Sequence, residues 1–229
     1  MSAEPPGGAS DVDRLGPWRV RYDRRLAPTS VHRGTVSLRS GSVAVLLSVR
    51  YDPINQEVVA RPFRDHPLVA GVEYTLTVDG VRDLDGVPAE PAQVRFVTGA
   101  GAEGGAPEGQ TPWAAVAELF TARCVDGCHG GTRPAMGLDL SSPEAVRATA
   151  IGVPAVQTGG RDEVPRRGLG GLPIIDALPG GGRPATSYLI YKMLGDEHAL
   201  GAPMPPEGAT NEELRLVADW ILAGAPTTH

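Results

Sequence analysis

Two cysteines and a histidine stand close together near the middle of the chain, in the stretch 124–129 (CVDGCH). Cys124 and Cys128 are the only cysteines in the sequence, and His129 follows the second one directly. A cysteine pair that ends in Cys-His is the attachment signature of a c-type haem, usually with two residues between the cysteines. Three residues intervene here. A helical i, i+4 spacing would keep both sulfur atoms on one face, and Gly127 could adjust the turn.

Other interpretations of the cysteine pair stay open at this point. The two thiols could form a structural disulfide, remain free, or supply half of a zinc site. A zinc site would need four ligands, and no second Cys/His cluster is found in the sequence. A disulfide between Cys124 and Cys128 would close a small loop and contribute little stability.

A methionine downstream is a candidate for a second axial ligand of a haem iron, and His/Met ligation raises the haem potential. Met204 lies in the stretch 201–206 (GAPMPP), whose prolines limit the conformational freedom lost when the loop is ordered. Met193 falls within the apolar stretch SYLIYKML and is predicted to belong to the core. Met136 is only seven residues past His129, which is too close to reach the opposite face of the haem. The alternative role for Met204 is that of a loop residue that fills the core.

Amphipathic helices are predicted around these residues. Thr111-Pro112 is typical of a helix start, and apolar residues then recur at helical spacing up to Phe120. Further helices are predicted from Ser142, over 187–194, and from a capping box that starts at Thr210. Between them, residues 151–185 form a long Gly/Pro-rich insertion, a kind of segment that is usually functional or mobile when it lacks structure.

The first part of the chain has the pattern of short strands. Turn-forming residues separate six β-branched, partly alternating segments, at 17–22, 34–38, 42–51, 56–61, 72–79 and 92–98. Several short strands at this spacing predict a β-sandwich. Residues 1–13 are predicted to be a flexible tether, and residues 100–111, which are rich in glycine, a linker.

The order of motifs in the second half resembles single-haem bacterial cytochrome c domains. The matching motifs are Cys…Cys-His-Gly at 124–130, Gly-Leu-Asp-Leu at 137–140, Ser-Tyr-Leu at 187–189, Met-Pro-Pro at 204–206 and Trp-Ile with Gly-Ala at 220–225. The resemblance implies one haem c per chain on Cys124 and Cys128, with His129 and Met204 as axial ligands of the iron. It also implies that the first and last helices pack through aromatic side chains, for which Phe120 and Trp220 are candidates.

The first half resembles the bacterial Ig-like family of exported proteins. The resemblance rests on Tyr-Asp-Pro at 51–53, PLVAG at 67–71, YTLTV at 74–78 and a closing FVTG at 96–99. Together the two resemblances imply an all-β Ig-like sandwich at 14–99, followed by an all-α cytochrome c-like domain at 112–229. The Ig-like part would be a spacer or docking element.

Composition narrows the classes of function. The net charge is −6 and acidic residues outnumber basic ones in both halves of the chain, so a basic surface for nucleic acid is not indicated. No apolar run is long enough to span a membrane. The leading hypothesis is electron transfer with a redox partner protein, without catalysis. Its alternatives are a haem enzyme that reacts with peroxide or a small gas at an open sixth position, and a non-haem exported binding protein with a Cys124–Cys128 disulfide. Haem attachment or a disulfide predicts a periplasmic, cell-surface or extracellular location. An export signal, and with it a possible lipid anchor, would then have preceded the N-terminal segment.

Overall fold

The chain folds into two compact units, Met1–Ala106 and Pro107–His229. The computed structural model describes residues 1–104, 111–158, 162–163, 167–178 and 181–227. Half of the predicted linker at 100–111, residues 105–110, lies outside these described residues.

The N-terminal unit is built from short strands. Within residues 1–104 they are β1 (Ser2–Glu4), β2 (Ala9–Val12), β3 (Trp18–Arg21), β4 (Val36–Ser40), β5 (Val43–Val45), β6 (Leu47–Asp52), β7 (Glu57–Pro62), β8 (Glu73–Val78) and β9 (Ala92–Thr98). Each of the six predicted strand segments overlaps at least one of these strands. The predicted segment at 42–51 contains β5 and most of β6.

The strands form two sheets. One sheet has the order β1-β3-β7-β6 and is antiparallel throughout. The other has the order β2-β9-β8-β4-β5, in which β2 runs parallel to β9 and the remaining pairs are antiparallel. In β9 every second side chain from Ala92 to Thr98 is buried, as expected for a strand with one face toward a core.

Aromatic side chains from both sheets meet in the core of this unit. Trp18 of β3 lies 5.5 Å from Phe96 of β9, measured between ring centroids, and Tyr74 of β8 lies 6.2 Å from Phe96. All three are at most 5% exposed. The two sheets therefore face each other across an apolar layer.

Strands β1 and β2 lie in the segment that was predicted to be a flexible tether. Ser2 pairs with Arg21 of β3, and Ala9 pairs with Phe96 of β9. Both strands are edge strands, which need backbone hydrogen bonds on one side only and few buried side chains. The polar composition of residues 1–13 is therefore compatible with ordered strands.

The C-terminal unit combines short helices with short strand pairs. Its described elements are α1 (Trp113–Phe120), a π-helical turn (Thr121–Val125), α2 (Pro143–Thr149), β10 (Gln157–Thr158), β11 (Asp162–Glu163), β12 (Ala177–Leu178), β13 (Gly181–Gly182), α3 (Tyr188–Leu194) and α4 (Asn211–Leu222). Strand β10 pairs with β11 and β12 with β13, both antiparallel.

The predicted fold class, an all-β Ig-like sandwich followed by an all-α cytochrome c-like domain, is therefore wrong. Only 25% of the chain is helical, and the C-terminal unit contains two small sheets. The physical reason lies in residues 151–185, whose glycines and prolines disfavour helix. Among the described residues of this stretch, backbone groups pair in two short strand pairs and in turns.

The insertion contributes to the core of the C-terminal unit. Leu169 and Ile175 are fully buried, and the Ile175 amide donates to the carbonyl of Ala150, at the end of α2, at 3.1 Å. The Tyr188 amide at the start of α3 donates to the carbonyl of Pro173 at 2.9 Å. At least this part of residues 151–185 is thus structural.

Helices α1 and α4 meet through an aromatic cluster, as predicted for Phe120 and Trp220. Their rings lie 5.9 Å apart in an edge-to-face arrangement, and Trp113 lies 5.7 Å from Trp220. The Trp220 indole N–H donates to the carbonyl of Pro226 at 2.8 Å. This cluster anchors the end of α1, from which the Cys-His segment begins.

Candidate functional site

The Cys-His segment starts in the π-helical turn that continues α1. The apolar face of α1 is held in the core by Trp113, Val116 and Phe120, so the turn that follows has a fixed starting point. The His129 amide donates to the carbonyl of Cys124 at 2.9 Å, a bond that spans five residues. A π-helical turn accommodates one residue more than an α-helical turn and is frequent at functional sites. The wider spacing of the two cysteines thus coincides with a wider turn.

The helix does not continue from Cys124 to Cys128, in contrast to the predicted i, i+4 arrangement. Asp126 has an extended backbone and Gly127 has φ +70°, so the chain turns away between the cysteines. Glycine adopts this left-handed conformation without steric cost. Cys124 is left half-buried and Cys128 exposed.

The imidazole of His129 is oriented by a backbone carbonyl. Its Nδ1 lies 3.2 Å from the carbonyl oxygen of Leu138, and the carbonyl of His129 accepts the Leu140 amide at 2.8 Å. When Nδ1 carries the proton and donates it to Leu138, the lone pair of Nε2 is available to a metal. Histidine ligands are held by such a bond in most metal sites.

Gly130 lets the chain pass close to the π-helical turn. A Cβ atom at this position would lie 2.5 Å from Cγ1 of Val125 and 3.1 Å from the Val125 carbonyl oxygen. These distances are well below van der Waals contact, so only glycine fits without displacement. The position of His129 therefore depends on a glycine as its neighbour.

The two cysteines are free thiols in this structure. Burial raises the pKa of the Cys124 thiol to about 11, although Arg123 favours the thiolate. A nucleophilic or redox-active cysteine requires a lowered pKa. Cys124 therefore lacks the lowered thiol pKa that thiol catalysis needs. Two free thiols beside an oriented imidazole match the donor set that a covalently attached haem requires.

Met204 lies in an ordered loop between α3 and α4. This Met204 loop consists of residues 196–209. Met204 is half-buried, and its amide donates to the carbonyl of Lys192 in α3 at 3.0 Å. At the start of the loop, Asp196 accepts hydrogen bonds from the amide of His198 at 2.9 Å and lies 2.9 Å from its Nδ1.

Two basic side chains tie the Met204 loop to its surroundings. The ammonium group of Lys192 donates to the carbonyls of Leu200 and Ala202, each at 2.5 Å. The guanidinium group of Arg123, the residue before Cys124, donates to the carbonyl of Gly208 at 2.9 Å. The structure thus connects the residue before Cys124 to the loop that carries Met204.

Three residues at this site were missed in the sequence analysis, namely Arg123, Lys192 and His198. Lys192 carried one signal, because it is the only lysine among the 21 basic residues. Arg123 carried none, because its contact with Gly208 spans 85 positions in sequence. His198 carried none either, and its contacts with Asp196 at the start of the Met204 loop appear only in the structure.

The other methionines have different environments. Met193 is 6% exposed in the core, as predicted, whereas Met136 is 47% exposed. Among the described residues, no group of three or more His, Cys, Asp or Glu side chains is arranged to hold a metal ion directly. None of the helices in the described part of the chain has the length and apolar character needed to cross a bilayer.

Comparison with known proteins does not identify a family for this chain. No family model and no curated protein matches the chain. Among solved structures, it is similar to the N-terminal part of the bacterial S-layer protein SbsC, with 16% identity, a TM-score of 0.34 and coverage of 40% of this chain and 22% of the other. Two further SbsC structures, one of domains 1–6, match with 16% identity and TM-scores of 0.33 and 0.34, over 40% and 43% of this chain. The chain spans only 13% of each of those two proteins. TM-scores this low indicate neither a shared fold nor a shared function.

Proposed function

We propose that this protein is an exported c-type cytochrome that transfers electrons. One haem c would be attached to Cys124 and Cys128, with His129 and Met204 as axial ligands of the iron. Haem c supplies one-electron chemistry by cycling between ferric and ferrous iron. The chain supplies attachment, ligands and a partly dry environment, which tune the potential.

The observation that carries this proposal is the hydrogen bond between Nδ1 of His129 and the carbonyl of Leu138. The bond is 3.2 Å long and selects the tautomer whose Nε2 lone pair is free. A hydrogen bond from the second ring nitrogen also raises the basicity of a ligating imidazole. The proposal is further supported by the position of His129 directly after two free thiols.

Attachment of the haem needs no oxidant. Each thiol adds across one vinyl group: the S–H bond breaks, a C–S bond forms at one vinyl carbon, and the hydrogen is transferred to the other. The product is a thioether. The protein mass therefore rises by the mass of one haem for two thioether bonds. Exposed Cys128 is accessible to the attachment machinery, and half-buried Cys124 adjoins the core.

Met204 is the proposed second axial ligand. Its thioether is a soft donor, and its loop is held in place by hydrogen bonds from Lys192 and Arg123. A filled sixth position favours electron transfer and leaves no site for peroxide or a gas. The redox partner would dock near an exposed haem edge. The N-terminal unit would serve as a spacer or docking element at a periplasmic or cell-surface location.

The proposal is tested by intact-mass determination and a reduced-minus-oxidised spectrum. The chain is expressed with an export signal and periplasmic haem-attachment machinery, and the Cys124→Ala/Cys128→Ala variant is the matched control. We expect a mass gain of one haem that survives denaturation and a sharp low-spin α band, both absent in the control. An unmodified mass without a haem band would refute the proposal and favour a non-haem exported binding protein.

The Met204→Ala variant separates an electron carrier from a haem enzyme with an open sixth position. If Met204 ligates the iron, the substitution removes the ferric Met-to-iron charge-transfer band and lowers the potential by on the order of 100 mV. Unchanged spectrum and potential would show that Met204 is not a ligand. The haem would then have an open or differently filled sixth position.

A further inference from the structure

We propose that Arg123 and Lys192 are positioning residues that hold the Met204 loop beside the Cys-His segment and so determine how firmly Met204 occupies the sixth position. This inference rests on the proposed function. It deepens that function by assigning the control of axial ligation to two side chains outside the attachment motif.

Arg123 links the attachment segment to the end of the Met204 loop. Its guanidinium group donates to the Gly208 carbonyl at 2.9 Å and forms ion pairs with Glu207 at 3.2 Å and Glu213 at 3.1 Å. The side chains of Arg123 and Glu213 are only 29% and 20% exposed, so solvent screens this pair less than a surface pair. One side chain thereby contacts the loop and the first turn of α4.

The first turn of α4 is itself rigid. Thr210 accepts a hydrogen bond from the Glu213 amide at 3.2 Å, and Glu213 accepts one from the Thr210 amide at 2.7 Å, which forms a capping box. Because Glu213 also pairs with Arg123, the end of the Met204 loop is fixed to two rigid elements. Pro205 and Pro206 stiffen the short stretch between Met204 and these contacts.

Lys192 holds the other side of the loop. Its ammonium group donates to the carbonyls of Leu200 and Ala202 at 2.5 Å, and its own carbonyl accepts the amide of Met204 at 3.0 Å. The Leu200 amide also donates to the hydroxyl of Tyr188 at 2.7 Å. The residues before Met204 are therefore bound to α3, and those after it are bound to Arg123.

These contacts matter because a loop loses conformational entropy when it is ordered. Fixing the backbone of each ordered residue costs conformational free energy. A single thioether–iron bond competes poorly with water or an added ligand if it must also order the loop. A loop that is already held in place leaves the bond free of that cost, which is the effect of preorganisation.

The test measures competition for the sixth position in the haem-loaded protein with imidazole as the probe. Above about pH 8 imidazole is mostly neutral, so its affinity for the ferric iron then reports access to the site more than local charge. The variants are Arg123→Gln and Lys192→Leu, with Arg133→Gln as a matched control. Arg133 is an exposed arginine four positions after His129, so its loss removes the same charge near the site. Met204→Ala sets the upper limit of imidazole affinity.

We expect imidazole to bind about tenfold more tightly to the Arg123→Gln protein and about fivefold more tightly to the Lys192→Leu protein, a tenfold change being about 1.4 kcal/mol. The Met-to-iron charge-transfer band should weaken in both variants. Backbone hydrogen exchange in residues 199–209 should become faster. The Arg133→Gln protein should match the wild type in all three measurements.

The outcomes separate this inference from the proposed function. If the wild type takes up haem and responds to Met204→Ala, but Arg123→Gln and Lys192→Leu bind imidazole like the wild type, only the positioning role is refuted. If Met204→Ala has no effect, Met204 is not the ligand and the positioning role is refuted with it. If the wild type takes up no haem, both proposals are refuted. A change of equal size in Arg133→Gln would indicate a charge effect and contradict positioning.

Discussion

The two units of this chain order their backbones in different ways. In the N-terminal unit, two sheets of four and five strands pair a large part of the backbone in regular ladders, and one layer of side chains fills the core between them. In the C-terminal unit the helices are short, with seven to twelve residues in each of α1 to α4. Much of the remaining described backbone there is irregular, and some of its carbonyls accept hydrogen bonds from the side chains of Arg123 and Lys192.

This difference explains why the candidate site lies in the C-terminal unit. A sheet fixes its backbone through a repeating ladder, which leaves little freedom to place a single group. An irregular loop can direct one side chain, but it must be anchored by specific contacts. The Met204 loop has such anchors on both sides. The comparison predicts that single side-chain contacts matter more in the C-terminal unit than in the N-terminal unit.

The largest effect is expected for Gly130→Ala. The added Cβ would meet Cγ1 of Val125 at 2.5 Å and the Val125 carbonyl at 3.1 Å, and overpacking of this kind costs about 1–3 kcal/mol. We expect lower stability of the C-terminal unit, measured by hydrogen exchange in denaturant, and reduced haem uptake, measured by intact mass.

A second substitution identifies the cause of the Gly130→Ala effect. Val125→Ala removes the Cγ1 contact but keeps the contact with the carbonyl, so the Gly130→Ala/Val125→Ala protein should recover part of the lost stability and haem uptake. Gly127→Ala is a poor control because Gly127 has positive φ. Gly152→Ala is unsuitable for the same reason. The single Val125→Ala variant is therefore the control. Wild-type stability and haem uptake in Gly130→Ala would contradict the close approach.

An intermediate effect is expected from replacing a buried tryptophan in each unit by phenylalanine. The indole N–H of Trp220 donates to the carbonyl of Pro226, whereas that of Trp18 is buried with no hydrogen-bond partner among the described residues. Trp220→Phe breaks a hydrogen bond and leaves a carbonyl unpaired, but Trp18→Phe removes an unsatisfied donor. We expect Trp220→Phe to cost about 1–2 kcal/mol more than Trp18→Phe.

Denaturant-dependent hydrogen exchange, analysed separately for peptides of each unit, measures this difference. The two substitutions remove the same atoms, so each serves as the other's control. Equal losses of stability in the two units would contradict the role assigned to the Trp220 hydrogen bond and weaken the contrast between the units.

The smallest effect concerns Asp13 in the N-terminal unit, where a side chain does anchor irregular backbone. Burial disfavours the charged form of Asp13, but hydrogen bonds from the amides of Glu103, Leu15 and Gly104 outweigh it and lower its pKa. A carboxylate with a lowered pKa in the folded state stabilises the fold above its unfolded pKa, about 3.9. That stabilisation is lost as the pH falls through the lower folded pKa.

We therefore expect Asp13→Asn to lower the stability of the N-terminal unit by about 1 kcal/mol at neutral pH, with little difference from the wild type at strongly acidic pH. Unfolding in denaturant as a function of pH measures this change. Asp23→Asn is the control, since the side chain of Asp23 is 76% exposed. A loss that does not depend on pH would argue against ionisation of Asp13 as the cause.

Local patterns in the sequence predicted most regular elements. The predicted strand at 72–79 corresponds to β8 (Glu73–Val78), and the predicted capping box at Thr210 begins α4. Ser142 caps α2 through its side chain, as its residue type suggested. The start of α1 differs by one position, because its N-cap is Pro112 instead of Thr111. These features depend on periodicity and on hydrogen bonds between near neighbours, which a single sequence reveals.

Longer-range features could not be predicted in this way. The edge strands β1 and β2 pair with β3 and β9, and their own residues carry no strand pattern. The segment that buries Ile175 is bonded to the end of α2 and to the start of α3, which lie on either side of it in sequence. A local scan of glycines and prolines predicts irregular backbone there, but it does not predict which apolar residues become core.

By itself, the sequence determined the chemistry that this protein can offer: two thiols, an adjacent imidazole, and a thioether in a proline-flanked loop. It also determined where several helices and strands begin, such as α2, α4 and β8, because caps and alternation are local. Only the tertiary structure decided that Leu138 orients His129 and that Arg123 reaches Gly208. Those contacts join residues far apart along the chain or on opposite sides of a turn. They exist only because packing of the aromatic cluster and of the buried insertion brings the backbone segments together.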